Sequence, residues 1–289
     1  MPSNIRINNR VASTLQVGDV IAERAYYGSS EVFTAAFDPD AFTYIAAVEA
    51  ADEQALEEGV KQAIDGFVTG CKADGIWDAI KASCILAGAR TLNGCLVPLA
   101  GDAPTNFNFV SADYDRGTGL KGDGSTKYMD SNRANNADPQ DSNHNAVYVT
   151  TVVTEGTPGA YMGAGSTDNG CNNLAKRGGP SDNVFTRNRD ISTRIDKDTD
   201  QVAGFFGASR SGSGNYTRRE GGLSETISRN SRTPTTDNLF VQARNNGSDV
   251  AELHSDGGVS FYSIGEAIDL AALDARVTTL MTKIEAALT

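Results

Sequence analysis

The stretch NFNFVSADYDRGTGLKGDGSTKYMDSNRANNADPQDSNHNAVYVTT, residues 106–151, decides the fold. Apolar runs of strand length stand at its two ends, FNFV at 107–110 and AVYVTTVV at 146–153. Between them lie Gly-Thr-Gly at 117–119, Gly-Asp-Gly at 122–124 and a polar stretch at 130–145. The second run is apolar in both alternations, with Val147, Val149 and Val153 on one side and Tyr148 and Val152 on the other. A strand covered on both faces belongs in the middle of a layered β structure.

Further along, short apolar runs recur at 95–97, 127–129, 160–162, 183–185, 201–206, 215–217, 223–227, 238–243 and 259–262. Gly, Asn, Asp or Ser fills almost every gap. Helical periodicity is missing from 105 to 262. The pattern predicts a mainly β chain built on a β-sandwich or jelly roll and argues against a doubly wound α/β fold.

Towards the N-terminus the pattern changes. Residues 2–24 read as an extended arm. RAYYGSSEVF, 24–33, reads as a hairpin turning at 28–30, with Tyr26 and Tyr27 on one strand and Val32 and Phe33 on the other. A lone hairpin is marginal in water, so these four residues are the candidate anchoring surface. Asp38-Pro39 opens a helix carrying Phe42, Ile45, Ala46 and Glu49, with Asp as N-cap and Pro at its first position. Asp52 is read as the cap of a second helix with a stripe of Leu56, Val60, Ala63, Ile64, Phe67 and Cys71. A third helix is expected to carry Ile76, Trp77, Ile80, Cys84 and Leu86, with Trp77 as a core anchor.

At the other end, Leu273, Val277, Leu280 and Ile284 follow a 4-3-4 spacing. This seam suits packing on the chain's own sandwich or pairing between chains. The expected divisions are an arm and hairpin at 1–36, a helical module at 37–92, a jelly-roll sandwich at 93–265 and a C-terminal helix at 266–289.

Charge narrows the function. The 289 residues carry 25 basic and 37 acidic side chains, a net charge of −12, which argues against nucleic acid as the main partner. Eight arginines and Lys197 lie among acids at 187–232 and read as a mixed-charge sandwich face. No apolar run is long enough to span a bilayer, and the polar first twenty residues do not read as a signal peptide. Cys71, Cys84, Cys95 and Cys171 match no zinc or CxxC spacing and are expected reduced and buried.

No catalytic pattern emerges, and the chain is expected not to be an enzyme. No Glu-x-Asp-x-x-Glu strand is present to set two carboxylates on one face. Asp113/Asp115 and Asp196/Asp198/Asp200 alternate but read as turns. His144 and His254 fall in polar stretches, and no G-x-S-x-G elbow or P-loop occurs. In the 130–145 loop, Asp130, Asp138 and Asp141 are hard oxygen ligands of the kind Ca²⁺ takes, although EF-hand spacing is not met. No other cofactor is expected. Shallow sugar sites need aromatics beside Asn and Asp, and Tyr161, Tyr216 and Tyr262 are candidates by residue type.

Several pieces carry a resemblance. FTYIAAVEAADEQALEEGVKQAI (42–64), GCKADGIWDAIKASCILAGARTLNG (70–94) and LVPLAGDAPTNFNF (96–109) resemble segments of phage and prophage virion proteins. GLKGDGSTKYMDSNRANNADPQDSNHNAVYV (119–149) is similar to the early strands of concanavalin-like, laminin-G-like sandwiches. VSFYSIGEAIDLAALDARV (259–277) resembles their closing strand and terminal helix, and AYYGSSEVF (25–33) a strand motif of tail appendages. The resemblance implies a concanavalin-like jelly roll in a virion structural protein made in the host cytoplasm. It further implies an arm bound to other virion proteins, a homotrimer, and a tail-fibre or appendage role with host surface glycan as a partner. A head decoration, cement or head-fibre protein is the alternative. A polysaccharide depolymerase ranks last, because the paired carboxylates are missing.

Overall fold

The computed structural model describes residues 37–165, 170–178, 183–190 and 201–289, together with the backbone of short strands within 6–34 and of Ile195–Asp200. Two sheets form a mainly β, jelly-roll sandwich. Among the described residues one sheet has eight strands, ordered Leu223–Ile227, Tyr216–Glu220, Gly204–Arg210, Asn143–Thr151, Gly258–Gly265, Gly119–Lys121 and Tyr114–Asp115, with Ile80–Ile85 also pairing Gly258–Gly265. The other has nine. Its main order is Ile195–Asp200, Asn183–Asn188, Asn172–Lys176, Gly159–Ala164, Asn238–Val241, Tyr128–Ala134 and Thr105–Phe107.

Asn143–Thr151 is central, paired on both sides, as its two-sided apolar character predicts. Val147 and Val149 are buried while Tyr148 on the opposite face is half-buried and packs on the core. Tyr161 and Phe206 meet edge-on at 6.4 Å across the sandwich.

Helices cover the outer face of the eight-stranded sheet. Helix α1, Pro39–Asp52, is capped by Asp38, whose carboxylate accepts from the Asp40 amide. Its inward face is Ala41, Tyr44, Ile45 and Val48, which leaves Phe42 out at 62% exposure. Helix α2, Glu58–Ala73, buries the expected stripe, and its Phe67 meets Phe261 of the sheet at 5.6 Å. Asp52 does not cap α2. It accepts instead from the amides of Arg90 and Thr91 and from the Thr91 hydroxyl.

The expected third helix is a strand. Only a 3-10 turn, Trp77–Ala79, precedes Ile80–Ile85, which pairs antiparallel with Gly258–Gly265. A short apolar run carries little helical preference of its own, and an available sheet edge decides its conformation. The 95–97 run likewise differs: Cys95 ends a single helical turn, α3, Leu92–Cys95. Ile195–Asp200, read as a turn, is a strand whose side chains lie outside the described residues.

Helix α4, Leu270–Leu288, starts at Asp269, which accepts from the amides of Ala271 and Ala272. Its Leu273, Val277, Leu280 and Ile284 are all buried within the chain, where α4 packs on α2 and on Gly204–Arg210. Gly59 of α2 makes the close approach: a Cβ there would stand 2.8 Å from that of Ala287. The seam is therefore occupied inside the chain and leaves no apolar stripe for a partner helix.

Within 6–34 the backbone forms three two-stranded ladders, Arg6–Ile7 with Arg10–Val11, Leu15–Val17 with Val20–Ala22, and Arg24–Tyr27 with Ser30–Thr34. The last is the expected hairpin. The first two replace the extended arm expected there. The side chains of Tyr26, Tyr27, Val32 and Phe33 lie outside the described residues.

Gly265 fixes the junction between sheet and helical side. A Cβ there would fall 2.0 Å from the Ala79 carbonyl oxygen. Gly265→Ala is expected to destabilise the fold by about 3 kcal/mol, because backbone has to move. Urea unfolding measures it, and a loss below about 1 kcal/mol would show that this junction relaxes freely.

Candidate functional site

Period-two alternation along Tyr128–Ala134 sends Met129 and Ser131 inward, where they are buried. Tyr128 and Asp130 then share the outer face of the nine-stranded sheet, and the strand turns irregular at Asn132, which sits at φ +54°. The antiparallel register sets Tyr128 directly opposite Phe107, and Asp130 opposite Thr105 on one side and Phe240 on the other. The Phe107 and Tyr128 rings stack, with centroids 4.4 Å apart and planes 3° from parallel. Phe240 tilts against Tyr128 at 4.8 Å, and His254 meets it edge-on at 5.8 Å. Phe240 is 2% exposed and forms the base of this cluster, whereas Phe107 is 37% exposed.

Polar groups hold the cluster in place. Asn108 takes φ +66° after Phe107 and donates to the Thr126 carbonyl at 2.8 Å. Asn106 closes the 106–109 turn through both ends of its amide. Asp130 accepts from the Asn132 amide at 2.8 Å and from Asn238 Nδ2 at 3.1 Å. Asp123 accepts from the amides of Ser125, Thr126 and Lys127. Burial pushes its carboxyl up, but the bonds from Thr126 and these amides outweigh that and hold it well below the usual range. Burial pushes the Tyr128 hydroxyl up, and Asp130 and Asp249 add to the effect. Burial lowers the His254 pKa against the pull of Asp123, so this imidazole is neutral at pH 7. The result is a ring with one face covered, held on a rigid strand and bordered by Asn and Asp.

The tyrosines singled out by type lie elsewhere. Tyr161 and Tyr216 are 1% exposed and Tyr262 is fully buried. Tyr161 donates to Gln201 Oε1 at 2.6 Å, the Tyr216 hydroxyl meets Thr186 Oγ1 at 3.0 Å, and that of Tyr262 meets Cys84 Sγ at 3.4 Å. None offers a ring face to solvent, because inward and outward positions of a strand look alike when both are apolar. The signal for Tyr128 was the alternation Tyr128-Met129-Asp130-Ser131, in which Met129 and Ser131 turn inward.

Asp130, Asp138 and Asp141, the residues expected to take calcium, each have their own surroundings. Asp138 is buried in an ion pair with Arg133, Asp130 is held by Asn132 and Asn238, and Asp141 has a buried oxygen without a partner. Among the described residues no three His, Cys, Asp or Glu side chains are grouped to hold a metal ion. His144 is not in a loop: it is buried on Asn143–Thr151. Asp113 pairs with Lys127 at 2.6 Å, and Asp115, in the short strand Tyr114–Asp115, accepts from the amides of Gly117 and Thr118. All four cysteines are buried and unpaired. Among the described residues no helix is long and apolar enough to cross a membrane.

Elsewhere, a concavity of about 400 Å³ is lined by Asp40, Lys72, Gly75, Trp77 and Asp78. Trp77 is half-buried and packs on the core, as expected. Its ring already has the Lys72 ammonium 5.7 Å from its centroid, and Asp38 and Asp40 hold that ammonium at 2.6 Å. The Phe107 face carries no such internal partner among the described cation–ring contacts.

No protein-family model matches the chain, and no curated protein matches it. Among solved structures it is similar to the CBM40 of the Ruminococcus gnavus IT-sialidase, at 10% identity and TM-score 0.38 over 47% of this chain and 82% of that one. It is also similar to the botulinum neurotoxin serotype D binding domain, at 10% identity and TM-score 0.48 over 70% of this chain and 51% of that one. A Trypanosoma rangeli sialidase mutant displaying trans-sialidase activity matches at 10% identity and TM-score 0.46 over 78% of this chain and 39% of that one. These are distant likenesses, and what this chain binds has to be read from its own residues.

Proposed function

We propose that this chain is a non-enzymatic structural component of a phage virion, of tail-fibre or appendage type, whose jelly roll contacts host surface glycan through the Phe107–Tyr128 face. The observation that carries the glycan part is the stack itself. Phe107 has one face covered by Tyr128 and stays open to solvent. A flat apolar ring suits the C–H face of a sugar, and the Asn and Asp neighbours suit its hydroxyls. A glycan array tests this. The wild-type chain is expected to give selective hits, and Phe107→Ala to weaken them roughly tenfold or more, about 1.4 kcal/mol. Phe107 is exposed, so its melting temperature should move little. A blank array ends the adhesin reading, and hits untouched by Phe107→Ala move the site elsewhere.

Support for the virion part is the resemblance of 42–149 and the three two-stranded ladders within 6–34. Short hairpins are marginal alone and order readily on a partner surface. A homotrimer belongs to this reading through the symmetry usual in phage appendages, and not through the C-terminal seam, which is buried against α2 within the chain. Light scattering that reports a monomer at micromolar concentration removes the trimer. Immunogold labelling with antibody to 105–262 tests the position. Label at the tail end is expected, label over the head makes this a decoration protein, and unlabelled particles end the virion reading. Release of reducing sugar from host polysaccharide would end the non-enzymatic reading.

A further inference from the structure

Charge decides which sugars the Phe107–Tyr128 face accepts, an inference that rests on the glycan reading above. Three carboxylates border the stack. Asp130 shares the outer face with Tyr128 two residues on, opposite Thr105 of the Phe107 strand. Asp249 accepts from Asn245 Nδ2 at 3.1 Å, the same amide donates to the Asn238 carbonyl at 3.3 Å, and Asn238 Nδ2 donates to Asp130, which ties Asp249 to the Asp130 edge of the stack. Asp123 accepts at 3.1 Å from the amide of Lys127, the residue before Tyr128, and faces His254, the ring edge-on to Tyr128. Two cations on the neighbouring segments are committed to other acids, while Lys121, two residues before Asp123, is exposed. Lys127 Nζ lies 2.6 Å from Asp113, and Arg244 Nη2 lies 2.8 Å from Glu252.

A ligand carboxylate would therefore meet three like charges against the single exposed Lys121, beside an electron-rich ring face. A ligand ammonium gains on both counts, from the carboxylates and from the ring quadrupole. We propose that this face selects glycans without negative charge, and that a free ammonium, as on a deacetylated 2-amino sugar, strengthens binding. Discrimination comes chiefly from repulsion of the wrong ligand.

Calorimetry of the full chain with glucosamine trimer, N-acetylglucosamine trimer and sialyllactose tests this. Affinity is expected to fall in that order. The advantage of the amino sugar should shrink as ionic strength rises from about 0.02 M to about 0.3 M, as the Debye length shortens. Asp249→Asn is the matched variant, because Asp249 sits at φ +55° and Asn tolerates that conformation. It should weaken glucosamine trimer roughly three- to tenfold and leave the N-acetylated trimer unchanged, whereas Phe107→Ala weakens both. Sialyllactose binding as tightly as the amino sugar, and lost in Phe107→Ala, overturns the charge selection while the glycan reading stands. Heat from none of the three probes overturns the ammonium preference, and the array then reports separately on whether the face takes glycans at all.

Discussion

Arg210→Ala is expected to destabilise the protein by about 4 kcal/mol. Arg210 is fully buried on Gly204–Arg210. Its Nε donates to the Asn188 carbonyl and to Asn188 Oδ1, both at 3.1 Å, and Nη2 donates to the same carbonyl at 2.8 Å. Nη1 is shared among the carbonyls of Gly212, Ser213, Asn215 and Arg229 at 3.0–3.4 Å. The guanidinium also lies 5.4 Å from the centre of the Tyr216 ring. One planar fork thus ties the 212–215 turn and residue 229 to the neighbouring sheet. Alanine leaves those oxygens without their donor and opens a void over Tyr216.

Lysine is not expected to rescue the loss, because a compact ammonium with three donors cannot reach both sets of carbonyls. At about 2–4 °C per kcal/mol for a chain of this order, the melting temperature should fall by roughly 8–16 °C. Urea unfolding of the two variants checks this. A loss under about 1 kcal/mol would mean that water replaces the guanidinium at little cost.

Acid stability should turn on two buried groups that pull in opposite directions. His144 is 1% exposed. Its Nδ1 faces the Glu266 carbonyl and its Nε2 faces Ser263 Oγ at 2.7 Å. A carbonyl only accepts, so Nδ1 carries the proton and Nε2 accepts from the serine hydroxyl. Burial lowers the folded pKa to about 4. The unfolded chain takes up its proton near the ordinary value of about 6.5. Stability from this residue is therefore complete above about pH 6.5 and declines by about 3 kcal/mol as pH falls to about 4.

Asp190 does the reverse. It is fully buried, and neither of its carboxylate oxygens has a hydrogen-bond partner among the described residues. Burial raises its pKa to about 6, against the pull of Arg210, Arg229 and Arg187. The folded state binds this proton before the unfolded state does, so stability rises by about 3 kcal/mol as pH falls from about 6 to about 4. The contributions of the two residues nearly cancel in that window. His144→Gln should tilt the profile towards acid stability, and Asp190→Asn should make the fold distinctly acid-labile while stabilising it at pH 8. Denaturant midpoints at pH 8, 6 and 4 test both. Parallel profiles for wild type and the two variants would show that neither group titrates as its burial requires.

The residues themselves settled the class of the fold. Val147, Val149 and Tyr148 demand cover on both faces, and a central strand between two layers is the arrangement that supplies it. The α2 stripe from Val60 to Cys71 was equally legible, because a single apolar face at helical spacing has one way to be buried. Turn chemistry at Asp38-Pro39 located the start of α1. These features are local, and the chain carries them wherever it goes.

Other features depend on what comes alongside. Ile80–Ile85 has the composition of either element, and only pairing with Gly258–Gly265, some 180 residues away, makes it a strand. Leu273 to Ile284 suited two partners equally, and α2 took the place because Gly59 lets α4 approach. Tyr161, Tyr216 and Tyr262 were indistinguishable by type from an exposed platform, yet the sheet turns all three inward. Phe107 and Tyr128, 21 residues apart, become one stacked surface only through strand register. Local preference acts over a few residues, whereas the face a strand presents and the partner it meets follow from long-range packing, so the candidate site emerged with the tertiary structure.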